Sequence, residues 1–145
     1  MGLPKTVDND VFPVAQTLGA WTAAEQGSIF FENVVNENTT SNRQLIIHEV
    51  MGRHCGWLTA QTAKDYRLKL RNKEFLPELL IDKARWDIDA IYIPEEDFNF
   101  QHEVIRLRDL MDRKDSVNIF LSEGAGQDAI VRELEEKGDV VPRDA

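Results

Sequence analysis

The stretch Pro4-Lys5-Thr6-Val7-Asp8-Asn9-Asp10 sets two carboxylates two residues apart, with a lysine three residues before the first. Moving a phosphoryl group onto a hydroxyl needs a base for the hydroxyl proton and positive charge beside the group in transit. In that chemistry Asp8 is the candidate base, Lys5 supplies charge, and Asp10 orients a divalent cation or its waters. The same residues also suit an Asx-turn and the N-cap of a following helix. Residue type alone leaves both readings open.

A second constellation is Glu49-Val50-Met51-Gly52-Arg53-His54-Cys55-Gly56-Trp57. Glycines at a strand–helix junction let backbone approach a ligand. The helix start beyond them favours an anion, which an arginine pairs in bidentate fashion; a tight turn carrying a surface arginine is the alternative. Two further strand ends carry carboxylates: Ile93-Pro94-Glu95-Glu96, suited to sugar hydroxyls or to a solvated loop, and Ser122-Glu123-Gly124-Ala125-Gly126, a weak phosphate-site pattern. His54 and Cys55 lack the companions a metal site needs. His48 is expected as a hydrogen-bonded core histidine, His102 on a helix surface, and Trp21, Trp57 and Trp86 in core or interface positions.

These residues need elements to hold them. The first dozen positions read as a loop broken by Pro4 and Pro13. The spacing of Val14, Leu18, Trp21 and Ile29 predicts a helix from about Pro13 to the mid-thirties. Residues 36–42 form a polar connection. Gln44 to Val50 is a buried strand, followed by a turn at 52–56 and a helix over Trp57 to Arg71. Residues 72–83 are ambiguous, with Leu76-Pro77 against an unbroken helix. Ile88 to Ile93 and Val117 to Leu121 read as strands, and Gln101 to Met111 as an amphipathic helix. Ile130 and Leu134 mark a last helix, closed by the charged stretch Glu133 to Asp139. The alternation predicts an α/β fold: a parallel sheet covered by helices on both faces, a Rossmann-like three-layer sandwich. Ligands bind such sheets at the carboxyl ends of the strands, where the constellations fall.

Composition narrows the classes. The 145 residues suit a single domain, with 42% hydrophobic and 30% charged residues. No apolar run reaches the roughly 18 residues of a membrane span, and the start lacks an apolar secretory segment. A net charge of −9 disfavours nucleic acid, so a phosphorylated ligand must meet cations gathered locally, Lys5, Arg43 and Arg53 being candidates. The one cysteine excludes an internal disulfide and fits a reducing cytoplasm.

In this order the segments resemble the phosphofructokinase family across the whole chain. Residues 4–10 look like its catalytic loop, Glu49 to Gly56 like its Met-Gly-Arg sugar-phosphate segment, and Ile93-Pro94-Glu95 like its substrate carboxylate segment. The resemblance implies a partial phosphofructokinase fold, the fructose 6-phosphate-binding part, with donor-binding segments outside it. It implies that Asp8 takes the proton of the 1-hydroxyl of fructose 6-phosphate, that Asp10 places Mg²⁺, and that Thr6 sits near the transferred phosphoryl. Met51 and Gly52 would touch the sugar, Arg53 phosphoryl oxygens, and Glu95 sugar hydroxyls. Lys5 is similar to the lysine of pyrophosphate-dependent members, where many ATP-dependent ones have glycine. An arginine seven residues before the methionine reaches a neighbouring subunit's substrate in bacterial members. That place is Gln44 here, with Arg43 one step earlier. The implied protein is a diphosphate–fructose-6-phosphate 1-phosphotransferase acting in glycolysis, a homo-oligomer (dimer) of the cytoplasm, this stretch being nearly inactive alone. An ATP-dependent 6-phosphofructokinase and a non-catalytic sugar-phosphate-binding or assembly module are the alternatives.

Overall fold

Apolar β-rich runs pair into sheet while the amphipathic segments between them pack on its faces. The computed structural model describes residues 2–76, 78 and 82–138. The expected closure at Asp139 and part of the ambiguous stretch around Pro77 lie outside the described residues. Among the described residues five strands and four α-helices follow in the order β1 (Lys5–Thr6), β2 (Leu18–Gly19), α1 (Ala20–Val35), β3 (Gln44–Val50), α2 (Trp57–Arg71), β4 (Ala90–Tyr92), α3 (Phe100–Lys114), β5 (Ser116–Ser122) and α4 (Gln127–Lys137). The main sheet has three strands in the order β3-β5-β4, all parallel. It is an α/β architecture, as the alternation predicts.

Pleating sends alternate side chains to opposite faces. On one face Phe120 meets Phe31 of α1 and Tyr66 of α2, in a core completed by Val35, Val50, Leu58, Leu70, Trp86 and Ile88. Phe31 touches Tyr66 edge-on at 4.7 Å and Phe120 at 4.5 Å between ring centroids, separations that favour aromatic pairs. On the other face Ala90, Val117 and Ile119 pack under Leu107, Leu110 and Met111 of α3. Among the described residues no helix is long and apolar enough to cross a membrane.

Four expectations change. The helix predicted from Pro13 begins only at Ala20. The preceding residues pair instead with the 4–10 segment: Lys5 with Leu18 and Thr6 with Gly19 form a two-stranded parallel ribbon, so the first dozen residues are not all loop. Gly19 sits at φ 98°, a left-handed conformation that breaks any helix running through it. β3 is not buried throughout, because it is an edge strand whose Leu45 and Ile47 are exposed. The polar connection at 36–42 contains a 3-10 turn that buries Asn38, whose amide donates to Asn118 Oδ1 and to the Arg85 carbonyl, both at 2.9 Å. His48, expected to be hydrogen-bonded, packs instead among the rings of Phe30, Phe31 and Phe120, and burial lowers its basicity. Trp86 is buried, whereas Trp21 is half exposed against the edge of Trp57.

Candidate active site

The carboxyl ends of β3, β5 and β4 open into the segments 51–56, 123–126 and 93–97. The chain after β3 turns sharply because Gly52 adopts φ 126°, a conformation costly for any residue with a Cβ. Two contacts fix that turn against β5. Ser122 is fully buried and its hydroxyl donates to the Gly52 carbonyl at 2.6 Å. The Arg53 carbonyl lies so close to Gly124 that a Cβ there would overlap it. The β5 end is therefore shaped to hold the Met51–Arg53 segment, with Met51 exposed and Gly52 buried.

Arg53 reaches across to Glu123, Nε to Oε1 at 3.3 Å, with both side chains partly exposed. Glu95 behaves differently. Both its carboxylate oxygens accept the Gly56 N–H, at 2.8 and 3.0 Å, so it caps the start of α2 as a helix N-terminus favours. Glu95 still lines a small polar cleft with Arg53, His54, Glu96, Gly124 and Gln127.

The ribbon of β1 and β2 carries the 5–10 segment. Its turn is held by Asn9, at φ 58°, whose Oδ1 accepts the Thr17 N–H at 2.8 Å. The Thr17 hydroxyl donates to the Thr6 carbonyl at 2.6 Å, and Thr6 Oγ1 accepts the Asp8 N–H at 3.2 Å. Asp8 lies within the electrostatic reach of Glu123 at the end of β5. Burial raises its pKa above the ordinary carboxyl range, and the negative charges of Asp10 and Glu123 add to that rise. Asp8 Oδ1 is buried and has no hydrogen-bond partner among the described residues. A carboxylate so placed is more basic than an exposed one and is left with an open lone pair.

The structure thus brings Asp8, Asp10, Glu123 and Arg53 into one electrostatic neighbourhood. Lys5 and Thr6 lie on β1, and Glu95 lies across the adjoining cleft. Arg43 is not part of this group. It precedes β3 at the opposite end of the sheet, and its guanidinium pairs with Asp112 at 2.6 Å. Glu123 is the residue that sequence reasoning undervalued. Its signal was present in the Ser-Glu-Gly strand end, but nothing local separates it from Glu95. Among the described residues no three His, Cys, Asp or Glu side chains gather into a self-sufficient metal cage. The oxygen-only donor set and the mutual repulsion felt by Asp8 suit a hard divalent cation held by one or two carboxylates together with substrate phosphates.

Comparison with known proteins gives this geometry a lineage. The chain is 57% identical over all 145 residues to the pyrophosphate–fructose 6-phosphate 1-phosphotransferase of Methylotuvimicrobium alcaliphilum, and 58% identical to that of Methylomonas methanica. It spans about a third of the length of these curated relatives, 36% in each case. The fold superimposes on the crystal structure of a pyrophosphate-dependent phosphofructokinase from Nitrosospira multiformis with a TM-score of 0.58, at 24% identity, covering 94% of this chain and 33% of that one. The family model described as Phosphofructokinase matches residues 1–143. The chain belongs to the phosphofructokinase family.

Proposed function

We propose that this chain forms the sugar-phosphate side of a pyrophosphate-dependent phosphofructokinase. The reaction moves a phosphoryl group from pyrophosphate to the 1-hydroxyl of fructose 6-phosphate, giving fructose 1,6-bisphosphate and phosphate, a reversible glycolytic step. The observation that carries the reading is that Asp8 is partly buried, has one carboxylate oxygen without a partner among the described residues and feels the charge of Glu123. Asp8 accepts the hydroxyl proton as the sugar oxygen bonds to phosphorus and the bond to the leaving phosphate breaks. Lys5 offsets charge on the donor, as in the pyrophosphate-dependent members this loop resembles. Thr6 lies beside the phosphoryl path.

Met51 and Gly52 hold the sugar, partly through backbone, and Arg53 exchanges Glu123 for phosphoryl oxygens when substrate arrives. Glu123 and Glu95 are the carboxylates available to sugar hydroxyls, with Glu123 the nearer to Asp8. Arg43 serves a ligand at the far end of the sheet, such as one bound by a neighbouring copy in a dimer. Asp10 would hold Mg²⁺. Bound Mg²⁺ neutralises charge developing on the donor's phosphoryl oxygens. The cytoplasm is the compartment that fits a lone free cysteine.

The test is Asp8→Asn in the full-length protein that carries this segment, assayed with pyrophosphate, Mg²⁺ and fructose 6-phosphate. Loss of a general base predicts a fall in kcat on the order of 10² to 10⁴, with ATP a poor substitute for pyrophosphate in the parent protein. Unchanged kcat would reduce Asp8 to a structural cap, and efficient use of ATP would overturn the donor assignment.

A further inference from the structure

The 5–10 segment is anchored by Thr17 and by its own Asn9. Thr17 is buried, with 1% of its surface exposed. Its hydroxyl donates to the Thr6 carbonyl at 2.6 Å, and its N–H reaches Asn9 Oδ1 at 2.8 Å. The hydroxyl also lies 3.2 Å from Asn9 Oδ1. The Asn9 amide points back to the Ala15 carbonyl at 3.4 Å. Asn9 itself holds φ 58°, the left-handed conformation that asparagine tolerates better than most residues. Below this peg the backbone closes as a ribbon: Leu18 N–H donates to the Pro4 carbonyl at 3.0 Å, and Thr6 pairs with Gly19. Asn9 stands between the two carboxylates. The backbone bend it stabilises therefore decides where Asp8 and Asp10 point.

We propose that Thr17 and Asn9 are positioning residues for Asp8, pegging the Lys5–Asp10 turn to the start of α1 so that the Asp8 carboxylate faces the phosphoryl acceptor. The inference rests on the reading of Asp8 as the base. The peg does not touch substrate. It acts through the direction of one side chain, and misplacement by about an ångström is enough to cost on the order of 100-fold in rate. The hydroxyl's one proton goes to the Thr6 carbonyl, the shorter of its two contacts with the turn, which a methyl in its place could not supply.

The experiment compares Thr17→Val, which keeps the shape and removes the hydroxyl, with Thr17→Ser, which restores it. Both are made in the full-length protein, alone and combined with Asp8→Asn. The expected result is a fall of about 10- to 100-fold in kcat for Thr17→Val, with KM for fructose 6-phosphate within about twofold of the parent. Thr17→Ser recovers most of the loss. In the Asp8→Asn background Thr17→Val adds almost nothing, because both changes disable the same group. A loss that Thr17→Ser does not recover, or one that persists undiminished in the Asp8→Asn background, overturns the proposal and leaves Thr17 with a structural role. Full kcat in Thr17→Val likewise overturns it, while a crippled Asp8→Asn protein shows that the base assignment itself stands. Full kcat in Asp8→Asn removes the base assignment, and the positioning role falls with it.

Discussion

Asp8 gathers the physical tension of this site in one side chain. Burial and the negative charges of Asp10 and Glu123 all disfavour its ionised form. A carboxyl whose pKa is raised stays protonated to higher pH, and only the ionised form can take a proton. With Asp8 as the proposed base, activity is expected to be lost as pH falls through a value above the usual aspartate pKa of about 4, and kcat/KM should show its acid limb there. Glu123→Gln removes one of the two negative neighbours, so the limb should move to lower pH even as the loss of a carboxylate for the sugar hydroxyls weakens substrate binding. A pH profile on the full-length protein checks this. An acid limb that does not move shows that Glu123 exerts no field on the base. The same residue shows what local sequence could not resolve. Glu95 and Glu123 are both carboxylates just past the end of a strand. One turns to the Gly56 N–H and the other to Arg53 and Asp8. Only the crossing of distant segments separates them.

Among the elements, β3 and α2 were legible in sequence because each is punctuated locally. The Leu45-Ile46-Ile47 run is bounded by polar residues and Gly52, and the helix ends where Lys69 and Arg71 sit favourably at its C-terminus. The β1–β2 ribbon was not legible, since its pairing joins residues more than ten positions apart and leaves no periodicity. Nor was the Asn38–Asn118 amide pair, which bridges 80 positions inside the fold. The α3 face offers a sharper test of element-level electrostatics. Glu103, near its N-terminus, accepts Arg106 Nη2 at 2.6 Å and the Tyr92 hydroxyl of β4 at 2.6 Å. The hydrogen bonds from Arg106 lead the causes that hold Glu103 down at about 2, and burial, followed by the Glu103 contact, pushes Tyr92 up to about 12. Glu103 is thus more acidic folded than unfolded. Its stabilisation is present in full above about 4.5 and is lost as pH falls from there towards 2. Glu103→Gln should cost about 1 to 3 kcal/mol at neutral pH and almost nothing at pH 2. Denaturant unfolding at both pH values checks this, and an equal cost at both would mean that the ion pair contributes nothing through charge.

At the scale of the whole molecule, burial is unequal on the two faces of the sheet. The α1/α2 side is sealed by Phe31, Tyr66 and Phe120, which are almost fully buried. The α3/α4 side retains an apolar groove of about 330 Å³ between Ile47, Val104, Leu107, Ile119 and Ile130. Ile47, Phe100, Val104 and Ile130 are each more than half exposed there. β3 borders the groove as an edge strand, and among the described residues nothing pairs with its outer side. Apolar surface of this kind drives association, and an open edge adds backbone hydrogen bonds to it. The net charge of −9 works in the opposite direction, since like-charged copies repel. Added salt screens that repulsion, the Debye length falling from about 30 Å at 0.01 M to about 3 Å at 1 M, while the apolar attraction is left intact. This stretch alone is therefore expected to be mainly monomeric at low ionic strength and to gain mass in light scattering as salt rises. Ile47→Lys with Val104→Glu should hold it monomeric throughout, because one charge would then sit on each wall of the groove with the net charge unchanged. A parent chain that stays monomeric at 1 M salt, or a double variant that associates as readily as the parent, would show that this face is not what brings copies together.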